Sequence, residues 1–155
     1  MADDASITLS ATILPDEISK TISGSMTVSP DATNDKWYYK LTAVTTTSAD
    51  LIAGRFIDYT AVDQDTDMTA VSTSDKVKFL FIKNTSTADG IAICLDGDTA
   101  AYNLADSIFI GPSQSWFGRL PNTTVENLHA ISSDIGDAGD ATANLIVAAL
   151  IDDVA

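Results

Sequence analysis

Cysteine and histidine, the residue types that most often staple or catalyse, occur once each, and each scarcity closes off a class of protein. Cys94 alone cannot form an intrachain disulfide, which excludes the disulfide-stapled secreted class. It lies in the apolar run 91–95, where a buried, inert thiol is expected. His129 alone excludes multi-histidine metal sites, and it stands in an alternating segment that suits a packed or hydrogen-bonded structural imidazole. Basic residues are also few: 8 Lys and Arg against 22 Asp and Glu leave a formal charge of −14. Binding a phosphate backbone needs clustered cations. Only Lys36 with Lys40, and Lys76 with Lys78 and Lys83, come close, each group flanked by Asp, so no nucleic-acid partner is expected. No apolar stretch approaches ~18 residues, the length that spans a membrane as a helix. The start, Met1-Ala2-Asp3-Asp4, has neither the basic nor the apolar region of a signal peptide. The expectation is a soluble protein made in a cytoplasm, with no membrane partner.

What is present is enough for a core. A chain of 155 residues, 45% apolar and 19% charged, lies far from the composition of disordered segments. At that length roughly 70% of the unfolded surface can be buried without disulfide or metal. No linker or repeat divides the chain, so residues 1–155 are expected to form one domain, with residues 1–14 its first strand or an N-terminal arm.

Periodicity is that of strands. Residues 6–14 alternate strictly, with Ile7, Leu9, Ala11 and Ile13 opposite Thr8, Ser10 and Thr12. A second run, 20–28, interleaves polar and apolar residues around Gly24. A third, 36–44, carries Trp37-Tyr38-Tyr39 among residues that suit pleated sheet. Residues 45–75 predict one or two strands and a long loop. The near-continuous apolarity of 77–83 predicts a central strand buried on both faces, and 91–95 its hairpin partner across a loop at 84–90. Short β segments are expected at 102–105 and 107–110. Another, 115–120, should stop at Pro121-Asn122, and 125–132 should alternate with Val125, Asn127, His129 and Ile131 on one side. The run 141–151 reads as helix by its alanines or as a buried closing strand by its branched residues, and the strand is favoured. Eight to ten short strands parted by Gly, Pro, Asp and Ser turns predict an all-β chain, a single antiparallel β-sandwich of jelly-roll or immunoglobulin-like kind.

Nothing in this pattern assembles a reaction. No Gly-x-Ser-x-Gly elbow, no Walker-type or Gly-x-Gly-x-x-Gly loop occurs, so no catalytic residue and no cofactor is expected. Asp63, Asp65 and Asp67 have the alternate spacing of loop carboxylates that converge on Ca²⁺. The match fails at Met68, where a glycine is needed, and at Ser74, where a glutamate is. A solvated acidic loop and a calcium loop of another type both remain open. Two aromatic groups, Trp37-Tyr38-Tyr39 and Trp116-Phe117 beside Arg119, must each send at least one ring away from the core, because neighbouring strand residues face opposite ways. Either these rings anchor an interface, where Trp, Tyr and Arg are enriched, or both faces of their strands are covered. Trp37, Tyr38, Trp116, Phe117 and Arg119 are therefore candidate contact residues, together with Ile7 and Leu9 of the arm.

The segments Lys78-Phe79-Leu80-Phe81-Ile82-Lys83-Asn84, Ile91-Ala92-Ile93-Cys94-Leu95, Ile108 to Leu120 with its Gly111-Pro112 turn before Trp116-Phe117, Val125-Glu126-Asn127-Leu128-His129-Ala130-Ile131 and the closing Ala149 to Val154 together resemble small β-sandwich virion proteins of tailed bacteriophages, especially marine and cyanobacterial phages. The resemblance covers about half the chain and includes no active-site motif. It implies a non-enzymatic structural protein present in many copies on the virion, a decoration protein on the capsid exterior with the major capsid protein as partner and a homo-oligomeric state. The negative charge suits an outer surface that does not meet packaged DNA. The alternative is a receptor- or glycan-binding head of a tail or head fibre that uses rings such as Trp116 or Tyr38. An enzyme of small β-sandwich type is the third reading and has the fewest residues to support it.

Overall fold

A computed structural model describes residues 4–13, 20–56, 70–97, 107–133 and 142–154. The chain divides into two compact units, Met1–Thr33 and Asn34–Ala155. The first holds β1 (Ala5–Ile13) and β2 (Lys20–Val28), which among the described residues pair antiparallel with each other alone. Alternation sorts this ribbon into two faces. Ile7, Leu9, Ala11 and Ile13 share one face with Lys20, Ile22, Gly24 and Met26, while Ser6, Thr8, Ser10 and Thr12 share the other with Thr21, Ser23, Ser25 and Thr27.

The second unit is an all-β sandwich of two four-stranded antiparallel sheets. One has the order β3 (Asp35–Val44), β10 (Ala143–Asp152), β5 (Lys76–Asn84), β8 (Ser115–Thr124). The other has the order β4 (Ala49–Asp50), β9 (His129–Ser133), β6 (Gly90–Cys94), β7 (Ile108–Ile110). The run expected at 141–151 is a strand over Ala143–Asp152, and it lies inside its sheet, hydrogen-bonded to β3 on one side and β5 on the other. As its apolarity predicts, β5 is also interior, between β10 and β8. Tyr38, Val77, Leu80, Ile82, Leu145, Val147 and Ile151 of the first sheet meet Ile91, Ile93, Ile110 and Ala130 of the second. Leu51, Ile52 and Phe56, from the segment after β4, complete this core.

Three expectations are corrected. Residues 91–95 are not the hairpin partner of β5, because β6 pairs with β7 and β9 in the opposite sheet, so residues 85–89 cross between sheets. The strand at 115–120 does not stop at Pro121 but runs to Thr124. A proline lacks the N–H of a ladder bond, and β8 is an edge strand where that bond need not exist. Residues 125–127 form one 3₁₀ turn rather than strand. That turn resets the alternation after it, so that Leu128, Ala130 and Ser132 are buried and Ile131 is only half-buried. The β segment expected at 102–105 lies outside the described residues.

The crossing from β5 to β6 is fixed by Asn84, whose side chain is wholly buried at the end of β5. Its Nδ2 donates to the carbonyls of Asp89 (2.7 Å) and Gly111 (3.2 Å), with Ile110 at 3.4 Å, and its Oδ1 accepts from the Ser86 N–H at 3.0 Å. Carbonyls only accept, so this set of partners also fixes which end of the amide is nitrogen. One side chain thereby ties the last residue of β5 to the segments that enter β6 and leave β7. The turn that leaves β7 is closed by the Gln114 N–H on the Gly111 carbonyl at 3.1 Å, with Ser113 at φ 60°. That is a position glycine usually fills.

Asp75 plays the same part at the other end of β5. Fully buried, it accepts the Ser72 N–H at 2.8 Å and the Val154 N–H at 3.2 Å, and so joins the start of β5 to the chain's last described residue. Replacing Asn84 by Ala would strand buried carbonyls and an N–H together. Asn84→Ala is expected to lower the unfolding free energy by about 2–4 kcal/mol in denaturant titration, with an unchanged denaturant slope.

Candidate functional site

Register places every second residue of the first sheet on its outer side, away from the sandwich core. Three rows result, read across β3, β10, β5 and β8: Trp37, Leu150, Phe79, Arg119; then Tyr39, Ala148, Phe81, Phe117; then Leu41, Ile146, Lys83, Ser115. An antiparallel sheet with one wet face normally carries polar residues there. This one carries five aromatic rings and four aliphatic side chains, and its only charges in these rows are the cations Lys83 and Arg119. Trp37 packs edge-on against Phe79 with ring centroids 6.5 Å apart and planes at 77°. Phe79 and Leu150 are already buried, while Leu41 remains 62% and Tyr39 47% exposed.

The aromatic groups divide between the faces as strand geometry demands. Trp37, Phe117 and Arg119 stand on the outer rows. Tyr38 and Trp116 face inward: Tyr38 is buried, and Trp116 packs against the core, lying over Gly118. Register therefore brings Trp37, Phe117 and Arg119 onto one surface and separates Tyr38 and Trp116 from it. Ile7 and Leu9 lie on the apolar face of the β1–β2 ribbon. Tyr39, Leu41, Phe81 and Ile146 complete the outer rows. The aromatic clusters alone do not single them out, although the odd-numbered residues of 37–41 and the unbroken apolarity of 79–82 carry the signal.

Two ion pairs flank the first row, Lys78 with Asp35 at 2.8 Å and Lys36 with Asp153 at 2.7 Å. They occupy four charged groups at the end of the sheet where β3 begins and β10 ends. The Tyr38 hydroxyl donates to the Ala53 carbonyl at 3.1 Å. Burial pushes its phenol above the usual value, opposed by that hydrogen bond.

His129 is buried in β9, its Nε2 3.0 Å from the Glu126 carbonyl and its Nδ1 3.9 Å from Asp50 Oδ1. The imidazole is thus packed and hydrogen-bonded through Nε2. Cys94 is buried, with its thiol 3.4 Å from Asp96 Oδ1. Asp63, Asp65 and Asp67 lie outside the described residues. Among the described residues no group of three His, Cys, Asp or Glu is arranged to hold a metal ion, and no helix is long and apolar enough to cross a membrane. No protein-family model, curated protein or solved structure matches the chain.

Two outcomes separate the outer rows from the core beneath them. Tyr39→Ser with Leu41→Ser is expected to change the unfolding free energy by less than about 1 kcal/mol, whereas Phe79→Ala should cost about 3–5 kcal/mol in the same titration. Alkali tests the Tyr38 site. A phenol whose folded pKa is raised gives stability that is complete below about pH 10 and is lost as pH rises through the folded value. Unfolding free energy should thus fall above about pH 10, and Tyr38→Phe should flatten that fall.

Proposed function

We propose that the chain is a non-enzymatic virion structural protein, a decoration protein that sits on the outer capsid shell of a tailed phage and takes the major capsid protein as its partner. The observation that carries this reading is the outer face of the β3–β10–β5–β8 sheet. Exposed apolar side chains gathered in register on one sheet are what a protein-binding surface needs, and aromatic rings with Arg at the edge are the residue types such surfaces favour. The charge pattern supports the same reading. A chain with a formal charge of −14 repels packaged nucleic acid and resists unwanted association, while a sheet face that lacks acids in its three rows can still close on a partner.

The alternative, a receptor- or glycan-binding head, draws less support. It needs exposed rings such as Trp116 and Tyr38, and both are turned inward.

Co-sedimentation with empty phage capsids tests the proposal. Wild-type chain should bind saturably at a fixed ratio to shell subunits, and Tyr39→Glu with Leu41→Glu should lower occupancy at least tenfold while the chain stays folded. Absence of wild-type binding would sink the decoration role, and undiminished binding by the variant would move the contact to another surface.

A further inference from the structure

The β1–β2 ribbon poses its own problem. A two-stranded hairpin is marginally stable in water without a third strand or a cover for its apolar face. Yet Leu9, Ile13 and Ile22 on that face are 52%, 53% and 56% exposed. The ribbon is also the least charged stretch of a strongly charged chain, since of its two nine-residue strands only Lys20 bears a charge.

These observations select the occupant. A cationic partner would be drawn to the acidic surface elsewhere on the chain, not to a face whose one charged residue is Lys20, opposite Ile13 at its end. Two copies of this chain, each with a formal charge of −14, repel one another least where both present surface without acids. We propose that the β1–β2 hairpin is a self-association element, and that hairpins from two copies of this chain stack with their apolar faces together.

Geometry sets the strength. Nine residues span about 30 Å and two strands about 10 Å, so one face offers about 300 Å², against about 800 Å² per partner in a standard stable pair. The contact is therefore weak between free copies, with a midpoint in the range of about 10 µM to 1 mM. Its strength rises with salt, because salt screens the repulsion between the acidic chains while apolar burial persists. Copies held side by side on any shared surface would associate more tightly without a new contact. None of this rests on the virion reading.

Sedimentation velocity of the full chain over rising concentration tests it, with three variants. The wild-type mass should climb from 16.3 kDa towards twice that value, and should do so at lower concentration in higher salt. Leu9→Asp with Ile22→Asp should remain monomeric. Thr8→Asp with Ser23→Asp, the matching diagonal pair on the Ser/Thr face, adds the same charge and should still associate. Leu9→Thr with Ile22→Thr keeps strand-forming residues and should weaken association at least tenfold. A wild type that is monomeric throughout overturns the proposal, whether the face is then covered by its own chain or by a foreign protein. So does wild-type association by the Leu9→Asp/Ile22→Asp chain. Loss of association in both Asp variants would assign the effect to charge or to hairpin melting, and would overturn the stacked face equally.

Discussion

Successive side chains of a β-strand point to opposite sides, and most of this molecule's character follows from applying that constraint to strands with too many apolar residues. In β10 the odd positions Leu145, Val147, Ala149 and Ile151 are buried in the sandwich core. Ile146, Ala148 and Leu150 are sent to the opposite side because they cannot go anywhere else. The same parity in β3 sends Tyr38 inward and Trp37, Tyr39 and Leu41 outward, and in β5 it sends Leu80 and Ile82 inward and Phe79 and Phe81 outward. The outer rows are therefore a property of the sheet as a whole, assembled from four strands distant in sequence. The β1–β2 ribbon obeys the same rule with the opposite outcome, since its second face is Ser and Thr throughout residues 6–12 and 21–27.

Holding two such sheets together calls for few polar contacts, each fully satisfied. Asn84 and Asp75 mark the two ends of β5, and both are buried with backbone partners at hydrogen-bonding distance. An amide or carboxylate taken out of water costs free energy unless its partners are in place. Alternative packings that slide β5 by one residue would orphan both groups. They contribute specificity of register as much as stability. The apolar core then fills the space between, drawing Leu51, Ile52 and Phe56 from outside the regular strands.

Much of this was legible in the sequence wherever local alternation decides. Strands β1 and β2 follow from alternation, β3 from its aromatic and β-branched residues, β10 from its branched residues, and β5 with its interior place from unbroken apolarity. Sheet membership was not legible, because β5 and β6 read as a hairpin until the Asn84 contacts with Asp89 and Gly111 show the chain crossing between sheets. Nor was the run of β8 through Pro121, which depends on that strand being at an edge, a fact fixed only by the other three strands. The single 3₁₀ turn at 125–127 breaks the alternation expected to run through 125–132, so that Val125 is buried along with Leu128 and Ala130. For the candidate site, Trp37, Phe117 and Arg119 could be named singly. Their union into rows with Tyr39, Leu41, Phe81 and Ile146 is a matter of register between strands, which no local pattern carries.

The central claim is that the outer face of the β3–β10–β5–β8 sheet is covered when the protein is in its working assembly. Hydroxyl-radical footprinting of the chain, free and bound to empty phage shells, reads this directly at Tyr39, Leu41 and Phe117. The account predicts strong labelling of these three in the free chain and at least severalfold protection when bound, with Ser and Thr residues of the ribbon's polar face unchanged. Equal labelling of Tyr39 and Leu41 in both states would contradict it.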